Sequence, residues 1–221
     1  MRKLCAILLA TAAFSFGSMA NASESGGIAL GVKAGTLGAG VELNYPISSR
    51  ITINVGINKY SSSISETTDG IDYDADLNLQ TIALLANFHP FAGSFRITAG
   101  AMINSNELSM VADPAATYDI GGTTYSAAQV GNLSATVDFR KVAPYAGIGF
   151  GHSASSGLGF MFEVGVLMQG KPNVDLKSSG GILSNDAGFL AELEQEEANA
   201  EDDIEGFTMY PVVSAGVNYR F

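Results

Sequence analysis

The stretch that decides the fold is Val212–Phe221, the last ten residues of the chain, with the sequence VVSAGVNYRF. Apolar side chains alternate there with polar or very small ones, which is the two-residue period of a β-strand with one apolar and one wet face. The apolar set ends on an aromatic residue, and the single charge, on Arg220, lies on the opposite face. The apolar positions are Val213, Ala215, Val217, Tyr219 and Phe221.

The amino-terminal segment has the pattern of a secretory signal peptide. Arg2 and Lys3 precede an apolar run that is too short to span a membrane as a helix, and Ala20 and Ala22 form a small-x-small cleavage site. We therefore expect residues 1–22 to be removed and residues 23–221 to form one domain. Cys5 leaves with the peptide, so we predict a mature chain without thiol or disulfide chemistry.

Composition excludes two classes of protein. The chain has 11 basic and 22 acidic side chains, a net charge of −11, so nucleic acid is not an expected partner. No run of eighteen apolar residues follows the signal peptide, which argues against a helical membrane protein. Yet only 15% of residues are charged and mean hydropathy is +0.21, which is apolar for a soluble domain. Alternating strands reconcile these values because their apolar residues are spread along the chain.

Other segments repeat the alternation of the carboxyl-terminal strand. The regular ones are 28–33, 39–45, 51–58, 95–104 and 160–169. Two more, 73–88 and 133–150, are less regular. In the second, the phase slips near Arg140 and Lys141, as a β-bulge would make it do.

The connections between these segments have two lengths. Short ones lie at 45–50, 89–94 and 151–157, and long polar ones at 61–70, 111–132 and 173–206. Outer-membrane barrels have short periplasmic turns and long external loops. Because such barrels have an even strand count, we expect a hairpin at Gly35–Gly38. The prediction is an all-β protein, an eight-stranded antiparallel up-and-down transmembrane barrel in the outer membrane of a Gram-negative bacterium.

The last long connection carries an acidic run at 192–205. Phe189, Leu193, Ala200 and Ile204 fall near helical spacing, which predicts a short amphipathic helix over the barrel mouth. The run lacks the glycine and alternating ligands of a calcium loop, so a solvated charged face is the favoured interpretation. We predict no metal site and no cofactor.

If the apolar face of each strand meets lipid, five charged side chains point into the lumen: Lys33, Glu42, Arg96, Glu163 and Arg220. In a barrel this narrow we expect them to pair, with Asn44, Asn54, Gln169 and Asn218 bridging them. The network either fills the barrel or lines a narrow polar path. A row of inward glycines (Gly40, Gly56, Gly100, Gly165 and Gly216) leaves room for a path or for the arms of Arg96 and Arg220.

Three segments resemble the carboxyl-terminal half of the CarO-type barrels: residues 143–149, 170–180 and 211–218. The wider chain resembles the small outer-membrane barrels with OmpA-like and OmpW-like members. The resemblance implies an outer-membrane location among lipid and lipopolysaccharide. It also implies that the barrel-assembly machinery reads the apolar face ending at Phe221. It associates the fold with basic amino-acid uptake and carbapenem susceptibility in some bacteria, so a small polar solute is a possible partner.

Two other functions stay open. The segment around His152 faintly resembles the Phe-x-His-x-Ser pattern of lipid A deacylases, but Ser155 stands one position too late and no acid lies nearby. His89 is the other histidine, and we predict no catalytic residue. A soluble secreted β-sandwich is the second alternative. The favoured function is a non-enzymatic outer-membrane barrel with either a structural or surface role or a narrow passive channel.

Overall fold

The computed structural model describes residues 27–68, 71–112, 117–151 and 157–221. At 66–68 and 71–73 it describes the backbone alone. The predicted signal peptide, with its cleavage residues Ala20 and Ala22, lies outside this part of the chain, and so does His152. The strands are β1 Ala29–Gly35, β2 Gly38–Pro46, β3 Ile51–Thr68, β4 Ile71–Phe88, β5 Phe95–Asn104, β6 Glu107–Ala112, β7 Thr117–Ile120, β8 Thr123–Ser126, β9 Gly131–Asp138, β10 Val142–Phe150, β11 Gly157–Leu167, β12 Asn173–Gly180 and β13 Tyr210–Arg220. The helices are α1 Ala127–Val130 and α2 Ala187–Asp203, followed by a 3-10 turn at Glu205–Thr208.

Eight of the strands close into an antiparallel barrel, in the order β1, β2, β3, β4, β5, β10, β11, β13 and back to β1. The predicted fold class is confirmed. The hairpin predicted at Gly35–Gly38 is present, with Gly35 paired to Gly38. Gly38 has a φ of +92°, a conformation that a side chain would strain.

The long connections carry regular structure rather than open loops. β3 and β4 continue past the barrel as a hairpin. Next to the amino-terminal half of β4, the strands β6, β9 and β12 extend the sheet. The β7–β8 hairpin, α1 and α2 pack on this extension. We call the extension (residues 61–68, 71–78, 107–112, 131–138 and 173–180) and these covering elements the outer module. No helix in the described ranges is both long and apolar enough to cross a membrane.

The segment 133–150 is two strands rather than one bulged barrel strand. β9 belongs to the outer module and β10 to the barrel, with 139–141 in no strand between them. Seven steps separate Asp138 from Tyr145, whereas six separate their partners Leu167 and Asn173. The extra residue is counted against β11 and β12 alone, because on the other side Ile103 pairs with Val142 and Glu107 with Asp138 without a gap. Leu133, Ala143 and Tyr145 therefore all lie on the inner face. The phase slip in the sequence reflects a change of the apolar face, from the inside of the module to the outside of the barrel, and the one-residue bulge marks their junction.

The barrel and the module have separate apolar clusters. One lies inside the barrel and consists of Leu37, Ala83, Leu85, Met102, Ala143, Tyr145, Leu167 and Val212. The other lies between the extended sheet and its covering elements and includes Ala112, Tyr118, Ile120, Val130, Phe189 and Leu193. The outward face of the barrel strands is an exposed apolar belt, with members such as Leu30, Val41, Val55, Leu84 and Phe160.

Candidate functional site

The barrel interior holds two ion pairs. Lys33 Nζ lies 2.9 Å from Glu42 Oε2, and Arg96 Nη2 lies 2.7 Å from Glu163 Oε2. All four side chains are about nine-tenths buried. Their strands position them inward because the alternate residues of each strand carry the apolar belt outward. The structure therefore brings together four of the five charged residues that the sequence singled out.

Amides extend this network only in part. Asn44 donates to Glu42 Oε1 at 2.8 Å, and Asn54 donates to Asn44 Oδ1 at 3.0 Å, which makes a short chain of bonds across β2 and β3. Gln169 instead donates to the carbonyl of Phe207 in the 3-10 turn that follows α2. The buried Oδ1 of Asn218 has no hydrogen-bond donor within the described residues.

Arg220 lies apart from the two ion pairs. Its Nε is buried without an acceptor among the described residues. On the other face of β13, Val213, Tyr219 and Phe221 are exposed on the outside of the barrel. Ala215 and Val217 share that face and are half-buried. The apolar stripe of the last strand thus points outward along its length.

Tyr145 is a central residue of the interior that sequence reasoning missed. It is almost fully buried, and its hydroxyl donates to Glu163 Oε1 at 2.6 Å. A Cβ on Gly165 would lie 2.3 Å from that hydroxyl oxygen, and one on Gly147 would lie 2.8 Å from it. The ring is therefore seated over two glycines on neighbouring strands. The signal in the sequence was a tyrosine opposite glycines, which is recognisable only once the register of β10 and β11 is known.

The other inward glycines also make room for long side chains. A Cβ on Gly149 would lie 2.8 Å from Arg96 Nε, and one on Gly216 would lie 2.8 Å from Met161 Cε. A Cβ on Gly40 would lie 2.3 Å from Asn58 Oδ1. The glycine row therefore accommodates neighbouring side chains, and it does not form an open path.

The cavity beside the two ion pairs is small. A cavity of about 10 Å³ lies beside Lys33, Leu37 and Glu163, which is room for about one water molecule. Toward the outer module, Leu37, Met102 and Leu167 are buried in the apolar cluster of the interior. The interior is therefore a packed core with a polar part and an apolar part.

Helix α2 closes the free edge of the outer module. β12 is the last strand of the extended sheet, so alternate backbone N–H groups on its outer side have no strand partner. Val174 N–H donates to Glu201 Oε1 at 3.0 Å, and Leu176 N–H donates to Glu197 Oε1 at 2.6 Å. Four residues along a helix and two along a strand span nearly the same distance, about 6 to 7 Å. Two carboxylates of the acidic run thus satisfy the edge of a sheet.

The predicted helix is present as α2, which is longer than expected at 17 residues. It packs against β12 and β7 of the outer module, whereas the sequence predicted it over the barrel mouth, and Ile204 lies just past its end. Asp186 accepts hydrogen bonds from the N–H groups of Gly188 and Phe189 and caps its first turn. Phe189 and Leu193 are buried in the module core, and Phe189 packs edge-on against Tyr125. Tyr125 donates to Glu192 Oε2 at 2.5 Å, and this bond raises the pKa of the tyrosine hydroxyl.

The outward face of the extended sheet is polar and acidic. Ser65 donates to Asp74 at 2.6 Å, and Lys177 lies 2.6 Å from Asp175. Across the described ranges no three His, Cys, Asp or Glu side chains gather as metal ligands would. Neighbouring hydroxyl groups, amides or a lysine bond to several of these carboxylates.

Comparison with known proteins identifies the fold. No protein-family model matches the sequence, and no curated protein sequence matches it. Two solved structures from Acinetobacter baumannii are similar, those of CarO2 and CarO, at 23% and 22% sequence identity. In each case the match covers 88% of this chain and 98% of the other, with a TM-score of 0.56. The chain therefore has the fold of the CarO-type outer-membrane barrels.

Proposed function

We propose that this chain is a non-enzymatic integral protein of the Gram-negative outer membrane, in which a closed barrel anchors the outer module at the cell surface. The apolar belt on the outside of the barrel and the likeness to the CarO structures support the location. An apolar outer wall of this kind fits a lipid environment, because contact between so large an apolar surface and water is unfavourable.

The observation that carries the surface role is the filled interior. Tyr145 lies across the lumen side of Gly147 and Gly165 and is tied to Glu163, which is itself paired with Arg96. A solute would have to displace this cluster and the apolar cluster above it. Since packed interiors resist such rearrangement, the barrel serves as an anchor and not as a pore.

Conductance through planar bilayers tests the proposal. The wild-type protein should give no current steps, whereas Tyr145→Ala should open a small polar path and give steps that confirm correct insertion. Tyr45→Ala, on the outward face of β2, is the matched control and should stay silent. Wild-type steps that Arg96→Ala changes would instead establish the narrow channel, with basic amino acids, suggested by the family resemblance, as the first solutes to examine in liposome swelling.

The non-enzymatic part of the proposal has its own test. His89 follows β4 at the end of the barrel opposite the outer module, and its N–H donates to the carbonyl of Arg50. A lipid A acyl hydrolase would need its base at the outer leaflet, on the side of the module. Mass spectrometry of lipid A after overexpression should give an unchanged acylation pattern. Loss of an acyl chain that depends on His152 would overturn this part.

Export and assembly complete the proposal. Residues 1–22 direct secretion, and the barrel-assembly machinery recognises the outward stripe of β13 that ends at Phe221. Removal of Phe221 should lower the amount of barrel that migrates anomalously on unboiled gels, while Phe160→Ala, an outward change on β11, should not. Equal yields of folded barrel would contradict the role of the terminus.

A further inference from the structure

The basic side chains of this acidic protein are not scattered over its surface. Apart from Arg2 and Lys3, three point into the barrel (Lys33, Arg96 and Arg220), Lys177 is held by Asp175, and Arg50 lies in the turn between β2 and β3. The remaining four are exposed: Lys59, Arg140, Lys141 and Lys171. These four share one location on the molecule.

That location is the upper edge of the apolar belt, next to the outer module. On β3 the last outward apolar residue is Ile57, and Lys59 is the next outward position. On β10 the outward residue Val142 is preceded by Arg140 across the bulge. On β11 the outward residue Met168 is followed by Lys171. The exposed cations thus stand where the barrel leaves the hydrocarbon layer.

Two of them, Arg140 and Lys171, form a corner where β10 and β11 leave the barrel. Arg140 N–H donates to the carbonyl of Gln169 on one side, and the carbonyl of Lys141 accepts from Asn104 on the other. Arg140 therefore shares the outward face of Val142, whereas Lys141, in register with the buried Asn104, belongs to the opposite face. The Arg140 guanidinium lies against Gly170, 3.4 Å from the position of an added Cβ, and therefore beside Lys171.

The corner has an apolar wall beneath it and carboxylates on its module side. Among the described residues its one acidic contact is Glu205, 4.0 Å from Lys171, and both of these side chains are largely exposed. Toward the barrel lie the exposed apolar side chains of Ile103, Val142 and Met168. On the module side, Glu107 and Asp138 face each other across β6 and β9. A small free anion would meet these carboxylates without gaining any apolar contact.

We propose that Arg140 and Lys171 bind a phosphate group of an outer-leaflet glycolipid, with its acyl chains on the apolar wall below. The inference rests on the membrane location given under Proposed function. Arginine and lysine in one corner match a phosphate, because the guanidinium supplies paired donors and the ammonium group supplies charge. The corner therefore selects a phosphorylated lipid over free phosphate and over a lipid without phosphate.

The test measures binding of lipid A to the folded, detergent-purified protein by native mass spectrometry, with EDTA present so that divalent cations do not bridge. The variant Arg140→Gln/Lys171→Gln is compared with Arg50→Gln/Lys177→Gln, which removes the same charge elsewhere. Since each cation near an anionic lipid contributes about 1 kcal/mol, the corner variant should bind lipid A roughly tenfold or more weakly. The control should bind as the wild type does.

Dephosphorylated lipid A should bind the wild-type protein as weakly as lipid A binds the corner variant, and millimolar inorganic phosphate should not displace the lipid. Equal binding by the corner and control variants, or by the two lipids, would overturn the proposal. Displacement by inorganic phosphate would assign a free-anion site in its place. The gel migration of the barrel and its lack of conductance are separate readouts, so the lipid site can fail while the closed anchor stands.

Discussion

The barrel and the outer module share the strands β3 and β4, but the polar and apolar faces of these strands are exchanged between the two regions. Along β4 the inward side chains are partly polar in the barrel, as at Thr81 and Asn87, and apolar in the module, as at Leu77. The outward side chains change the other way, from the apolar Ile82 and Leu84 to acidic residues such as Asp76. The polarity of both faces inverts near residue 80.

The inversion shows that the face of a strand that carries the apolar side chains depends on the solvent each face meets, and not only on the two-residue period of the strand. In the membrane location proposed for the barrel the outward face meets lipid, so the polar residues lie inside and must bond to one another. In the module the outward face meets water, so the inner face becomes an ordinary apolar core covered by α2. This is why the segment 73–88 has an irregular pattern when it is interpreted as one uniform strand.

The largest effect expected from breaking this contrast comes from the barrel interior. Arg96→Ala leaves the buried carboxylate of Glu163 without its cation, which should cost about 3–5 kcal/mol of barrel stability. Because the chain has no tryptophan, urea unfolding is best followed by the loss of anomalous gel migration. Lys177→Ala breaks the exposed pair in the module and should cost less than about 1 kcal/mol. Similar losses from both changes would mean that the interior pair is not a structural element.

The second effect belongs to the module core. Leu193→Ala removes a side chain that is 2% exposed and should cost about 2–5 kcal/mol, confined to the module. Limited proteolysis should then cut the module while the barrel keeps its gel migration. Leu190→Ala, at a half-exposed position of the same helix, should leave cleavage unchanged. A barrel that unfolds together with the module would show that the two regions are one cooperative unit.

A smaller effect tests the packing of the Tyr145 ring over Gly165. Gly165→Ala places a Cβ 2.3 Å from the tyrosine hydroxyl and 2.7 Å from the carbonyl of Ala146, which should destabilise the barrel by about 1–3 kcal/mol. Gly206→Ala, where the added methyl group meets open space, is the matched control. An unchanged unfolding midpoint for Gly165→Ala would contradict the close packing of the interior.

The smallest effect concerns the edge of the module. Glu197→Ala and Glu201→Ala remove the acceptors of the Leu176 and Val174 N–H groups, at about 1 kcal/mol each. Hydrogen exchange of those two amides should become about fivefold faster, because 1 kcal/mol corresponds to that factor. Glu194→Ala, an exposed change on the same helix, should leave both exchange rates as they are. If both amides stay protected from exchange when Glu197→Ala and Glu201→Ala are combined, α2 does not cap the edge.

Much of the barrel could be predicted because its two solvents impose a strict alternation on each strand. The carboxyl-terminal strand and β5 have nearly the bounds that their alternation indicates. The even strand count then supplied the hairpin at Gly35–Gly38. The inward direction of Lys33, Glu42, Arg96 and Glu163 followed from the same alternation.

The module and the seat of Tyr145 could not be predicted in the same way. β12 and the upper half of β3 are rich in serine and charged residues, which resemble a loop when no partner strand is known. Long-range register decides which glycine lies under which side chain, and one sequence does not encode register in a readable form. The acidic run read as a solvated face, although Glu197 and Glu201 bond to the backbone of β12.

The position of the membrane boundary on β4 tests the central claim most directly. Cys5, within the proposed signal peptide, is the one cysteine of the sequence, so single cysteines can be placed at 74, 76 and 78, and at 82, 84 and 86. A membrane-impermeant thiol reagent added to intact cells should label the first three positions and leave the last three unlabelled. Equal labelling at all six positions, or none at the first three, would contradict a lipid-embedded barrel that carries its module outside the cell.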